Sequence, residues 1–170
     1  MAKLLKPKNS QLNLDGAEPV LAILQSLTSE TTALALRCRE AHWNVKGPNF
    51  GPLHELFGDV YDFTNDWTDT LAERVVQQGG VASAMSSPWE PRPMVGDENA
   101  LLNEVASGAN HLAEQIHLAL TQLTAGSGDE STKDILIEFG RELEKWVWKV
   151  ESHLKEFQKV AKARCPTCGK

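Results

Sequence analysis

The residues best suited to chemistry lie on one face of the segment that follows residue 49. They recur at spacings close to whole helical turns, and they are His54, Asp62, Asp69 and Glu73. The i, i+4 spacing of the last two lets one cation contact both carboxylates. Imidazole nitrogen together with carboxylate oxygen is a donor set suited to iron or zinc. The alternative is a polar helical face that is merely solvated.

One chain cannot bring both ends of this polar face to the same ion. His54 precedes Asp69 by 15 residues, which is about 22 Å along a helix. Two antiparallel copies related by a two-fold axis near Asp62 would place each His54 beside the two carboxylates of the other copy. The sequence therefore predicts two identical sites per dimer. A turn at residues 47–48 would fold His42 back beside His54.

Helical periodicity predicts an all-α, four-helix bundle without strands. The four patterns cover roughly residues 17–46, 49–78, 97–124 and 131–163. Gly47-Pro48 would stop the first helix, and a capping box from Ser131 to Asp134 would open the fourth. A long connection over 81–96, with short turns elsewhere, is the wiring of a ferritin-like bundle.

Composition and length exclude several classes of protein. The 170 residues, 41% of them hydrophobic, fit one domain with its own core. No apolar run reaches the roughly 20 residues of a membrane span, and three cysteines are too few for a disulfide scaffold. We therefore expect a cytoplasmic protein with no membrane partner. The expected boundaries are a basic tail at 1–14, the bundle at 15–163 and a cysteine-containing tail at 164–170.

Charge is divided between the ends and the body of the chain. The net charge is −6, but the first ten residues carry +3, from Lys3, Lys6 and Lys8, and residues 155–170 carry +4, which leaves −13 in between. An acidic body attracts cations, whereas basic ends can bind the phosphates of DNA without sequence specificity. The alternative is that the lysines belong to solvated tails.

The C-terminal tail contains a pair of cysteines, Cys165 and Cys168, in the spacing of half a zinc-ribbon knuckle. A closed zinc site needs four ligands, so this pair would have to borrow two from elsewhere. The other interpretation is a redox-active or free thiol pair.

Several motifs together resemble the Dps family, the DNA-binding proteins from starved cells, or mini-ferritins. The motifs are AHWNVKGPNF over 41–50, LHELF over 53–57 and DTLAER over 69–74. The resemblance implies a hollow dodecamer of two-fold dimers that oxidises Fe(II), usually with hydrogen peroxide, and stores the ferric product. It also implies that the metal ligands are shared between subunits: His42 and His54 of one, Asp69 and Glu73 of its two-fold mate.

The resemblance has one departure and one further implication. The family normally has an aspartate four residues after the second histidine, and here that residue is Gly58. The lost oxygen ligand would weaken iron binding or leave room for water, unless Asp62 replaces it. Glu130 and Asp134 occupy the place of the family's acidic three-fold pore, which would admit Fe(II).

The predicted function is iron storage and detoxification by a ferroxidase that protects DNA from oxidative damage. Two alternatives stay open. One is a structural protein, associated with the nucleoid, that compacts DNA without sequence specificity. The other is a metal-buffering cage for iron or zinc with weak ferroxidase activity.

Overall fold

The fold is a four-helix bundle, as the helical patterns predict. The computed structural model describes residues 17–84, 93–126 and 129–155, and these contain four helices and no strand. The helices are α1 (Ala17–Asn44), α2 (Phe50–Gln77), α3 (Glu98–Gly126) and α4 (Glu130–Ser152). Five residues separate α1 from α2 and three separate α3 from α4, whereas 20 separate α2 from α3. Within these ranges, no helix combines the length and apolar character needed to cross a bilayer.

The apolar side of α2 faces the core and so determines which side of the helix stays outside. Phe57, Val60 and Leu71 are fully buried in one cluster with side chains of the other three helices, among them Leu24, Leu34, Leu112, Ile116 and Phe139. Burying a large apolar side chain stabilises a fold by about 1.5–3 kcal/mol. Because this side is held inward, the polar face of α2 is left half-buried or exposed.

The crossover between α2 and α3 is attached to α1 near both of its ends. Ser83 donates its backbone N–H to the side-chain oxygen of Gln25 at 3.1 Å, and Gln25 donates back to the Ser83 carbonyl. Met94, at the other end, is 1% exposed and donates its N–H to Glu40 Oε2 at 3.1 Å. These contacts fasten the long connection expected over 81–96 to the first helix.

Two predicted helix boundaries were wrong. The first helix ends at Asn44 rather than near residue 46, because Gly47 has φ +129° and the following proline disfavours helical geometry before it. The fourth helix is not opened by a capping box at Ser131. Its N-cap is Asp129, whose Oδ1 accepts the Thr132 N–H at 3.0 Å.

Helix α4 stops at Ser152, with His153 as its C-cap, and Lys155 is again helical. Residues 156–163, the remainder of the predicted helix, lie outside the described residues. The predicted helix end near residue 163 therefore remains a prediction.

Candidate metal centre

The turn between α1 and α2 brings two histidines together. Gly47 adopts a positive φ that costs a glycine little. Glu98, at the start of α3, accepts two hydrogen bonds from Asn49, one from the backbone N at 2.7 Å and one from Nδ2 at 2.9 Å. Asn49 is the N-cap residue of α2, but its side chain bonds to Glu98 and not to the helix. The result is that His42, in the last turn of α1, lies beside His54 of α2.

The two histidine rings are stacked and hydrogen-bonded reciprocally. Their centroids are 3.6 Å apart and their planes differ by 22°. His42 Nδ1 lies 2.7 Å from the His54 carbonyl oxygen, and His54 Nδ1 lies 2.8 Å from the His42 carbonyl oxygen. Because a carbonyl oxygen only accepts, each Nδ1 must donate a proton. The tautomer with its hydrogen on Nδ1 has its lone pair on Nε2, and this is the nitrogen it offers to a metal.

Phe50 and Gly58 flank the histidine pair. The Phe50 ring is stacked on His54 at 5.0 Å between centroids. A β-carbon added at Gly58 would lie 3.1 Å from His42 Nδ1 and 3.3 Å from its Cε1. The space beside Gly58 is therefore taken by the His42 ring and is not simply left for water.

The carboxylates lie at the opposite end of the same helix. Asp69 and Glu73 are both exposed, as is Asp62 midway along the polar face. Since α2 is continuous from Phe50 to Gln77, about 22 Å separates His54 from Asp69. The part of the chain that the structure describes holds no group of three or more His, Cys, Asp or Glu able to bind one metal ion. Within one chain, His54 and the two carboxylates therefore cannot bind the same ion.

A buried arginine holds the carboxylate end of α2 against α4. Arg74, 7% exposed, donates from Nε to Thr132 Oγ1 at 2.9 Å and from Nη2 to Asp129 Oδ1 at 3.0 Å. Gln78 donates from Nε2 to Asp129 Oδ2 at 2.9 Å. Burial disfavours the charged form of Asp129, but the hydrogen bonds from Thr132 and the charge of Arg74 outweigh it and hold the pKa of Asp129 below its usual value.

The two acidic residues predicted to line a pore lie in the first turns of α4 and differ in their surroundings. Glu130 is 80% exposed, and its Oε1 accepts a hydrogen bond from Lys133 Nζ at 2.7 Å. Asp134 is also exposed, and it forms no ion pair with the residues that the structure describes. The negative charge of Glu130 is therefore offset locally, and that of Asp134 is not.

Two other histidines pair with carboxylates away from α2. His117 Nε2 lies 3.0 Å from Glu144 Oε1 on an exposed surface, and His111 Nε2 lies 3.2 Å from Glu30 Oε2. Each is a two-residue contact between neighbouring helices, without a third metal-binding side chain beside it in the described residues.

The predicted DNA-binding lysines and the cysteine pair cannot be placed relative to this centre. Lys3, Lys6 and Lys8, together with Cys165 and Cys168, lie outside the described residues. Cys38 in α1 is fully buried, and burial raises the pKa of its thiol to about 12. A thiol that stays protonated is a poor metal ligand, so Cys38 contributes to packing.

The supporting groups were missed from the sequence. An aspartate just before a helix, with a threonine three residues later, is a capping pattern that could have indicated Asp129. No signal of this kind marks Glu98, because the bond to Asn49 joins residues 49 positions apart.

Comparison with known proteins defines the class of this chain. A protein-family model described as a ferritin-like domain matches residues 21–160. Within that class, the DNA protection during starvation protein of Agrobacterium fabrum is 33% identical over 161 residues, which cover 91% of this chain and 98% of the relative. The chain therefore belongs to the Dps family of ferritin-like proteins, as its motifs predict.

Solved structures agree with this assignment. DpsC from Streptomyces coelicolor superposes with a TM-score of 0.80 at 25% identity, over 87% of this chain and 90% of that one. Dps from Microbacterium arborescens, in its high iron form, gives a TM-score of 0.72 at 26% identity, over 81% and 93% of the two chains. The predicted ferritin-like architecture is confirmed.

Proposed function

We propose that this protein stores and detoxifies iron by oxidising Fe(II) with hydrogen peroxide at centres shared by two subunits of a dodecameric cage. The observation that carries the proposal is the histidine pair. Both Nδ1 atoms are committed to backbone carbonyls, so both Nε2 atoms are left to bind a metal. Histidines that bind metals in proteins almost always donate their other ring N–H to a carbonyl or carboxylate in this way.

The remaining donors come from the carboxylate end of α2. An antiparallel two-fold dimer about the middle of α2 places Asp69 and Glu73 of the partner subunit next to the histidine pair. Their oxygens favour the more highly charged ferric product, while the imidazoles favour Fe(II). The mixed donor set can therefore bind the substrate ion before and after oxidation. Membership of the Dps family supports this arrangement.

The protein's own residues orient the substrate iron and keep the reaction away from DNA. Two Fe(II) ions each give one electron to hydrogen peroxide, which takes up two protons and becomes two molecules of water. No hydroxyl radical is released in this balance. The ferric product hydrolyses inside the cage, which protects DNA from iron and peroxide together. Glu130 and Asp134 would line the passage through which Fe(II) reaches the interior.

The test is peroxide-dependent Fe(II) oxidation, followed by the ferric absorbance. The double variant Asp69→Asn/Glu73→Gln should lower the initial rate at least about tenfold, since it removes both carboxylate donors. The matched control is Glu114→Gln/Glu138→Gln, which neutralises two exposed carboxylates of α3 and α4 and should keep the wild-type rate. An unchanged rate in the first variant, with the cage intact, would contradict the shared centre.

DNA binding is the second candidate function, and the lysines at the N-terminus favour it. Twelve copies of a +3 tail would add their weak phosphate contacts by avidity, and the relatives are named for DNA protection. A gel-shift series at rising salt should show binding that fades through counterion release. Deleting residues 1–9 should abolish most of it, and deleting residues 160–170 should matter less. Full retention without residues 1–9 would exclude Lys3, Lys6 and Lys8 as the contacts.

A further inference from the structure

Gly58 lies next to the histidine pair, and its lack of a side chain leaves room for the His42 ring. The His42 ring lies so close to α2 that a β-carbon at Gly58 would approach His42 Nδ1 to 3.1 Å. That is closer than ordinary van der Waals packing, so any side chain there would push the ring outwards. The same Nδ1 donates to the His54 carbonyl at 2.7 Å. A side chain at position 58 would therefore shift the ring that this hydrogen bond holds by a few tenths of an ångström.

The glycine also changes which atoms the centre offers to a metal. With no carboxylate at position 58, the donors from one chain are two imidazole nitrogens. Asp62 does not replace the missing oxygen, because it lies eight residues beyond His54, about 12 Å along the helix. Together with one oxygen from each of Asp69 and Glu73 of the partner subunit, the set is two nitrogens and two oxygens.

Such a set suits a different ion from the one that an oxygen-rich centre suits. Four nitrogen and oxygen donors satisfy the tetrahedral coordination of Zn(II). Fe(II) takes more ligands and gains more from an additional hard oxygen. Removing one carboxylate therefore costs Fe(II) more than it costs Zn(II).

We propose that Gly58 determines the metal specificity of this centre, shifting its preference from Fe(II) towards Zn(II) by seating His42 against α2 and withholding an oxygen ligand. This rests on the shared centre proposed above. Zn(II), which has no accessible redox change, then competes with iron for the same donors and slows its oxidation. The rate of iron oxidation then depends on the ratio of the Zn(II) to the Fe(II) concentration.

The experiment compares two glycines of the same helix in the assembled protein. A β-carbon at Gly51 would have nothing within 4 Å, so Gly51→Ala and Gly51→Asp are the matched controls for Gly58→Ala and Gly58→Asp. Binding of Zn(II), and of Fe(II) without oxygen, is measured by competition with a chromophoric chelator. Co(II) is added in a separate titration, because its visible spectrum distinguishes four-coordinate from six-coordinate sites.

We expect intense four-coordinate Co(II) bands in the wild-type protein. Gly58→Ala should weaken Zn(II) binding by about tenfold, since it displaces His42 without adding a ligand. Gly58→Asp shifts His42 in the same way but also adds an oxygen donor, so it should reduce the preference for Zn(II) over Fe(II) by about tenfold and weaken the Co(II) bands. Both Gly51 variants should behave like the wild type. Weak six-coordinate Co(II) bands in the wild type, or Gly58 variants equal to their Gly51 counterparts, would overturn the proposal.

A separate variant distinguishes this failure from failure of the shared centre. In a Cys165→Ser/Cys168→Ser background, which removes the other candidate zinc ligands, His54→Ala should abolish Zn(II) binding if the shared centre exists. If binding is lost in His54→Ala but the Gly58 variants keep the wild-type preference, Gly58 is not the determinant and the centre stands. If His54→Ala binds Zn(II) as tightly as the wild type, the centre itself is refuted.

Discussion

The two ends of α2 carry the two halves of the proposed centre, and they are organised differently. At the N-terminal end, the histidine pair is stacked at 3.6 Å and locked by two hydrogen bonds to backbone carbonyls. At the C-terminal end, Asp69 and Glu73 are exposed, and it is the backbone beneath them that is held, through Arg74 and its bonds to α4. One half is complete in a single chain, and the other is a pair of side chains on a fixed support.

The difference follows from the geometry of the two kinds of ligand. An imidazole nitrogen offers one lone pair in the plane of its ring, so its orientation has to be set by the protein. A carboxylate has two oxygens and rotates freely, so it can adjust to an ion that is already bound. Rigid histidines and adjustable carboxylates allow a centre to form between two subunits without requiring perfect register from both.

The largest effect on Fe(II) oxidation should come from two double variants, one without the histidines and the other without the carboxylates. His42→Ala/His54→Ala and Asp69→Ala/Glu73→Ala should each abolish peroxide-dependent Fe(II) oxidation, because each removes one half of every centre. Subunits of the two variants are then unfolded, mixed in equal amounts and reassembled. Random pairing gives hybrids in half of the dimers, with one intact centre in each, so about a quarter of the wild-type activity should return.

The control for mixing is either variant unfolded and reassembled alone, which should stay inactive. Exchange of subunits is verified by mass spectrometry of the assembled protein. No recovered activity after verified exchange would show that the two ends of α2 do not meet across a dimer.

The sequence predicted the position of both ends and missed how each is held. The periodic apolar residues of α2 indicated its buried side, and Gly47-Pro48 indicated that His42 returns beside His54. The reciprocal bonds between these histidines depend on the shape of the turn, which Glu98 of α3 helps to set. Contacts between residues so far apart in sequence leave no local pattern. The sequence predicted a capping box at Ser131, but Asp129 is the N-cap instead. Asp129 also forms an ion pair with Arg74, which the local pattern could not show.

A smaller effect, on stability, should come from the support beneath the carboxylates. Asp129→Asn leaves the buried Arg74 guanidinium without its charged partner, so it should lower the free energy of unfolding by about 2–3 kcal/mol. The control is Glu130→Gln, the next residue, whose ion pair with Lys133 is exposed and should be worth at most about 0.5 kcal/mol. Both are measured by denaturant unfolding at one protein concentration, because assembly contributes to stability.

The same pair of variants gives a pH dependence. Since the pKa of Asp129 is lowered in the folded protein, its contribution is fully present above the unfolded value of about 3.9. The contribution is lost as the pH falls through the lower folded value. The stability gap between wild type and Asp129→Asn should therefore be constant near neutral pH and narrow below about pH 4. A gap that widens in acid would contradict the ion pair as its cause.

The smallest effect should come from the acidic residues of α4, which adjoin the carboxylate end of α2 through Asp129. Because Lys133 offsets Glu130, the field that attracts Fe(II) should come mainly from Asp134. Asp134→Asn should slow iron uptake about two- to threefold at low ionic strength, and Glu130→Gln should slow it less. The difference in uptake rate should shrink as salt is added, since the screening length falls from about 30 Å at 0.01 M to about 10 Å at 0.1 M.

Lys133→Ala provides a second test. It removes the positive charge that offsets Glu130, so iron uptake should become faster. Glu130→Gln made in that background should then slow uptake as much as Asp134→Asn does. Equal rates in the wild type and all four variants would place the passage for iron elsewhere on the cage.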